Sequence, residues 1–304
     1  MHIMNKSEDG VKSDFGGHSM VTSLQRVLIR LPDETFCVAD PEKWHYTGTP
    51  DLQNARLEHR KLTEILENLG VEIIRYEAPL PDMADAIYVF DPVLIVDAGI
   101  ILLRMGKKLR RGEEIMLGKR LEELNIPVIG QLQEPAIAEG GDMFWIDHQT
   151  LAIGLGFRTN KAGVQQIEHL LKPYRIEVLT ADLPYFQGPD SCLHLLSLIS
   201  LIDERLAVIY KPLFPVSLYQ ALEKRGFEFI DVPESEFRSM GANILTVSPR
   251  VCIMLEGNPV TKDRLEAYGC EVYTYSGYDI SLKAEGGPTC LTRPILRKSH
   301  KIYG

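Results

Sequence analysis

The sequence predicts an α/β chain folded as a five-bladed propeller, and three observations carry that expectation. A unit of apolar strand, short turn, second strand, helix and third strand recurs along the chain. Its period is roughly 55–60 residues, typical of large structural repeats, and about five such units fill the chain. The half-units at the two ends, a strand and helix early and an apolar stretch after Cys290, complete one another only if the array closes on itself. A doubly wound sheet is the plainer alternative. No stretch of linker composition divides the chain. Residues 21–304 are therefore read as one domain behind a mobile, polar tail over 1–20 that lacks periodicity.

The elements follow in order. Residues 25–31 form the first strand candidate, and loops around Asp40-Pro41 and Gly48-Thr49-Pro50 come next. Over 52–69 the residues Leu57, Leu62, Ile65 and Leu66 fall at helical spacing, and Gly70 is suited to end the helix. His59 is placed on the solvated side of that helix. Residues 71–76 are strand-like. The next unit reads as strands 86–89, 93–96 and 100–103, a helix over about 111–124 and a strand 127–129. Strands 144–146 and 151–154 precede a helix over 162–171 and a strand 175–179. Strands 195–200 and 206–209 precede a helix over 216–225 and a strand 228–231. Strands 244–248 and 251–255 precede a helix over 260–268 and a strand 271–275. The last unit starts at Cys290.

Bulk properties remove several function classes. The chain is 45% apolar and 25% charged, which excludes disordered and fibrous types. A net charge of −9 opposes a phosphate backbone, so nucleic acid is not an expected partner. No apolar run reaches membrane-spanning length and no signal h-region opens the chain, so a cytoplasmic protein without a membrane partner is expected. Cys37, Cys192, Cys252, Cys270 and Cys290 are odd in number, scattered, and form no Cys-x-x-Cys pair. Neither a disulfide framework nor a thiolate zinc site is expected, and a reducing compartment fits. No metal and no other cofactor is required, and a homodimer is compatible with the sequence.

One cysteine stands apart. In Glu285-Gly286-Gly287-Pro288-Thr289-Cys290 the thiol follows two glycines and a proline, between a strand-like run and the apolar residues beyond it. Glycine permits close backbone approach and proline stiffens the loop. An isolated cysteine there would be a small apolar residue at a strand start. Glu139-Gly140-Gly141-Asp142 and Ser191-Cys192-Leu193-His194-Leu195 change that reading. An acid, a histidine and a cysteine on separate loops are the parts of an activated thiol nucleophile. Cys192 and Cys252 are given no role.

In this order and register the motifs resemble the guanidine-modifying enzyme superfamily, the pentein fold, and within it the dimethylarginine dimethylaminohydrolases. Asp85-Ala86-Ile87-Tyr88-Val89-Phe90-Asp91 looks like the family's first acidic strand, and Arg104 through Arg110-Arg111-Gly112-Glu113 its arginine-bearing turn. Glu139-Gly140-Gly141-Asp142, Arg158-Thr159-Asn160, His194-Leu195 and Gly286-Gly287-Pro288-Thr289-Cys290 are similar to its remaining motifs. The resemblance implies blades around a pseudo-fivefold axis and a small-molecule guanidino substrate. It implies Cys290 as nucleophile, His194 as acid and then base, and Glu139 orienting His194, touching the guanidinium, or both. Asp91 would hold the guanidinium, Arg110 and Arg158 a substrate carboxylate, and Asp85 an α-ammonium, with Ser197 a minor contact.

A guanidinium carbon is a poor electrophile, so it needs a strong nucleophile, and thiolate is one near neutral pH. The implied reaction cleaves a C–N bond of arginine or an N-substituted arginine through a covalent thiouronium. It yields citrulline and an amine or ammonia. Amidino transfer and a non-catalytic binding module are the alternatives. Two residues depart from the family pattern. Phe90 stands where dimethylargininases carry a glutamate, so it either packs in the core or walls the guanidinium with an apolar face. Leu196 replaces an aspartate that deiminases and glycine amidinotransferases share.

Overall fold

The computed structural model describes residues 14–298. Fifteen strands form five separate three-stranded sheets, the blades of an α/β propeller. In chain order they are β1 (Leu24–Ile29), β2 (Glu72–Arg75), β3 (Val93–Val96), β4 (Gly99–Leu102), β5 (Val128–Gln131), β6 (Met143–Asp147), β7 (Thr150–Leu155) and β8 (Glu177–Asp182). They continue with β9 (Ile199–Asp203), β10 (Leu206–Ile209), β11 (Glu228–Asp231), β12 (Leu245–Ser248), β13 (Val251–Leu255), β14 (Glu271–Tyr275) and β15 (Arg293–Arg297). Four blades are continuous. The fifth joins β15 antiparallel to β1, and β1 parallel to β2. The expected closure of the array is thus made by a late strand on an early one.

Every blade obeys one rule. The central strand runs antiparallel to the first and parallel to the third. An antiparallel pair can be joined by two residues, as at Asp97-Ala98 or His148-Gln149, whereas the parallel step needs a crossover. Helices Leu52–Asn68, Glu113–Glu123, Lys161–Leu171, Val216–Lys224 and Pro259–Ala267 supply it. Each helix is followed by a residue in left-handed conformation, namely Gly70, Asn125, Arg175, Gly226 and Gly269. The next residue returns the chain to its third strand. Burial decreases outward: β3 and β4 are buried throughout, while the third strands β2, β5, β11 and β14 are half exposed.

Several expectations need correction. Residues 86–89 are not a strand. Ala84–Ile87 is a 3-10 turn whose amides bond locally, Ala86 N to Met83 O and Tyr88 N to Asp85 O, so no edge is left to pair. Residues 195–197 are likewise a turn, and the strand begins at Ile199. In the helix Leu52–Asn68 the inward stripe is Ala55, His59, Leu62 and Leu66, so Leu57 is exposed and His59 is buried. Burial drags the His59 pKa down to about 4. Of the expected tail, 1–13 lie outside the described residues, but 14–20 are tied down. Gly16 N donates to Ile295 O, and the His18 ring stacks on Trp145 with centroids 4.1 Å apart.

Candidate active site

Each blade is preceded by a turn, and these five turns converge. Phe90, Gly141, His194, Asn243 and Cys290 lie just before β3, β6, β9, β12 and β15, and all line one cavity of about 220 Å³. A second, smaller cavity of about 40 Å³ adjoins it through Cys192, His194, Glu285 and Cys290. It is lined by Asp85, Asp91, Lys107, Arg110 and Arg158 among others. Every predicted catalytic or binding residue therefore reaches one of these cavities except Glu139, which lies behind His194.

Glu139 is wholly buried, with Oε2 2.7 Å from His194 Nε2 and 3.5 Å from Arg158 Nη1. Its Oε1 accepts from Lys107 N at 2.9 Å. Burial alone would raise this carboxyl, but the hydrogen bond from His194 and the Arg158 charge outweigh it and hold its pKa far below the usual range. Burial opposes the charged form of His194. The Cys192 sulfur and the carboxylates of Asp91 and Asp142 win, raising its pKa well above 6.5. These neighbours favour the charged, imidazolium form of His194. Gly141 allows this ring in, since a Cβ there would stand 2.3 Å from His194 Nδ1. Asp142 is structural: it accepts from Thr159 Oγ1 at 2.7 Å and Leu195 N at 3.1 Å, tying one turn to the next.

Cys290 is partly buried at the junction of the cavities. Asn243 Nδ2 lies 3.6 Å from its Sγ, and Asn243 Oδ1 accepts from Thr289 N at 3.2 Å. A Cβ on Gly287 would meet Asn243 at 2.5 Å, so the glycine loop makes room for this contact. Burial, then the nearby Asp91 charge, push the thiol up to about 12 despite His194 pulling the other way. In the empty site Cys290 is a neutral thiol.

Asp91 has both oxygens engaged: Oδ1 accepts from Gly141 N at 2.8 Å and Oδ2 from Arg110 Nη1 at 2.5 Å. Arg110 also spends Nε and Nη2 on Glu113, and Nη2 on Tyr88 O. So little of Arg110 remains for a substrate carboxylate, and its evident work is to hold Asp91. Arg158 makes the single 3.5 Å contact with Glu139 among its described ion pairs. Asp85 accepts from Tyr46 OH at 2.7 Å and pairs with Lys107 Nζ at 2.6 Å. Ser197 Oγ accepts from His194 N at 3.2 Å and lines the larger cavity.

Phe90 is both a core residue and a cavity residue. It belongs to the core, with Arg293 stacked 3.8 Å from its ring centroid, and it also lines the larger cavity. Sequence reasoning missed Asn243, whose signal was its place before the first strand of a repeat. It missed Lys107, read as part of a basic run, and Cys192, whose Sγ lies 3.6 Å from His194 Nδ1. Among the described residues, donor atoms of Asp91, Glu139 and His194 come within 4.8 Å of one another, the spacing of a metal site. A protonated imidazole and carboxylates already bonded to cations suit proton transfer better than ligation.

The sequence model of the eukaryotic N,N dimethylarginine dimethylhydrolases matches residues 42–297. The chain belongs to this family. Membership places it among the hydrolases that act on guanidino C–N bonds of linear amidines. An uncharacterized Caenorhabditis elegans protein is 28% identical over 90% of this chain and 94% of its own length. An arginine deiminase of Listeria welshimeri is 23% identical over 82% of this chain and 70% of its own. A dimethylarginine dimethylaminohydrolase of Pseudomonas aeruginosa, a cysteine-to-serine mutant complexed with citrulline, superimposes with TM-score 0.74 at 22% identity, covering 91% and 100% of the two chains. An amidinotransferase of saxitoxin biosynthesis from Microseira wollei gives TM-score 0.77 at 15% identity, covering 93% and 97%. At these identities the solved structures speak to fold, and that fold is the pentein.

Proposed function

We propose that this hydrolase cleaves a C–N bond of the guanidino group of arginine or an N-substituted, methylated arginine through a covalent intermediate on Cys290. The observation that carries the proposal is the meeting of Cys290, the Glu139-bound His194 and the fixed Asp91 carboxylate in the smaller cavity. The guanidinium lies against Asp91, and its positive charge near the sulfur lowers the Cys290 pKa, so binding itself prepares the thiolate. The thiol proton leaves to solvent. Sulfur then adds to the central carbon, and the departing nitrogen takes the proton of His194 and leaves as an amine or ammonia. A thiouronium remains. Neutral His194 next removes a proton from water as oxygen adds to the same carbon. The C–S bond breaks, the electron pair returns to sulfur, the added hydroxyl gives up its proton to solvent, and a ureido product such as citrulline departs. Glu139 keeps the imidazole oriented and favours its charged form throughout.

Cys290→Ser is expected to lose at least about a thousandfold in rate, as when a nucleophile is removed. Wild-type protein quenched during turnover is expected to gain the mass of the substrate less the departing amine, the N-alkyl thiouronium on Cys290. Ureido product and amine should appear in equal amounts without any acceptor amine, which separates hydrolysis from amidino transfer. Near-normal turnover by Cys290→Ser sinks the proposal.

A further inference from the structure

Lys107 occupies the far end of the small cavity in a manner that bears on the substrate's tail. Its Nζ lies 2.6 Å from Asp85 Oδ2 and donates to Trp44 O at 2.8 Å. The ammonium also sits 5.0 Å from the Trp44 ring centroid and 5.9 Å from that of Tyr46. A buried carboxylate, a carbonyl and two aromatic faces are together what an alkylammonium ligand would ask for. Here a side chain of the protein fills that place. Tyr46 OH takes the other Asp85 oxygen, so the acid has no strong capacity left. The remaining acids at this cavity are committed elsewhere or lie in water. Asp91 is bound to Gly141 and Arg110, and Asp190 and Glu285 are exposed. An exposed carboxylate holds a cation weakly. Arg158, by contrast, retains most of its donors and lies in the same cavity.

Resting on the guanidino-hydrolase reading above, we propose that Lys107 is an internal ammonium and that, among the guanidino acids this site cleaves, one without a free α-ammonium is preferred to arginine. Its guanidinium lies at Asp91 and its carboxylate at Arg158, with Lys107 adding positive charge. Arginine would bring a second ammonium to a place that already holds one, and like charges at short range disfavour each other. The same chain without the amine, 5-guanidinopentanoate, avoids this.

The test compares kcat/KM for arginine, 5-guanidinopentanoate and agmatine in wild-type protein, Lys107→Met and Lys107→Arg. Wild type is expected to prefer 5-guanidinopentanoate to arginine by about tenfold or more, the size of one charge-assisted contact, with agmatine poorest for want of a carboxylate. Lys107→Met frees Asp85 and should shift the ratio toward arginine by a similar factor, while Lys107→Arg, which keeps the cation, should preserve the wild-type order. Thermal melts confirm that each variant is folded, and Lys107→Arg carries the comparison should Lys107→Met fail to fold. A wild-type ratio at or below one, or a ratio unmoved by Lys107→Met, overturns the inference. If Cys290 is essential and arginine is preferred, this inference alone falls; if Cys290→Ser stays active, the reading beneath it falls.

Discussion

The small cavity and the large one share Cys192, His194, Glu285 and Cys290, but their walls differ in kind. In the small one Asp91 is held by Arg110, Arg110 by Glu113, and Asp85 by Lys107, so the charges are set before any ligand arrives. The large one brings the apolar side chains Phe90, Leu196, Phe237 and Met240 to its wall, alongside polar members such as Asn243, Ser197, Gln187 and Arg238. The difference teaches how labour is divided. Fixed carboxylates orient a planar cation without reorganising during the reaction. Apolar walls tolerate varied substituents, since one methylene changes binding by only about 1–3 kcal/mol.

The comparison can be broken most severely behind the small cavity. Glu139→Gln removes the carboxylate that lies 2.7 Å from His194 Nε2, and the rate should fall by roughly 100- to 10,000-fold, the range for general acid–base catalysis. A loss under tenfold would show that His194 is held by other groups. Arg110→Met and Arg158→Ala sharpen the contrast within that wall. The first leaves Asp91 and Glu113 buried without their cation and should lower stability by about 3–5 kcal/mol. The second should mainly raise KM, by about 10- to 100-fold, with little change in melting. Equal melting shifts in the two variants would remove the distinction.

Phe90→Glu tests the wall of the larger cavity. Its carboxylate would face Arg293, whose pKa burial lowers to about 9 and whose Nε has no partner among the described residues. Some of the cost of burying the new charge is therefore offset. Stability should fall by no more than about 1–3 kcal/mol, compared with several for an unpaired charge. The kcat/KM ratios among arginine, its monomethyl and its dimethyl forms should shift at the same time. Strong destabilisation with unchanged ratios would confine Phe90 to the core.

The last test reads pH and needs no variant. A thiol held near 12 is protonated in the empty site, and thiolate rises tenfold per unit below its pKa. Alkylation of Cys290 by iodoacetamide should accordingly climb about tenfold per unit from about pH 7 to 10. A plateau below about pH 9 would show a sulfur already activated without substrate.

The blades were legible in the sequence because helix period and strand runs alternate so regularly, and the missed features have definite causes. At 86–89 the apolar run imitates a strand, but no neighbouring edge is available, and local turn bonds replace the ladder. The glycine-bearing turns announced Glu139 and Cys290. Asn243 had no such flag, since an amide in a turn has many structural uses. Lys107 looked solvated because a charged run tells nothing of which member turns inward. Arg110, which the motif assigned to a substrate carboxylate, is paired with Asp91 and Glu113, far and near in sequence, a pairing no local pattern announces.

The joint between β15 and β1 has a consequence for how the protein comes into being. Cys290 follows every other residue of the site in chain order, and the strand just after it closes the ring against one made near the start. A growing polypeptide therefore carries Asp91, Glu139 and His194 long before it carries a sulfur to use them. Closure and arming coincide. On the mechanism proposed for Cys290, chains stalled, cleaved or truncated before this joint would be inactive, and competence would arrive with the final blade.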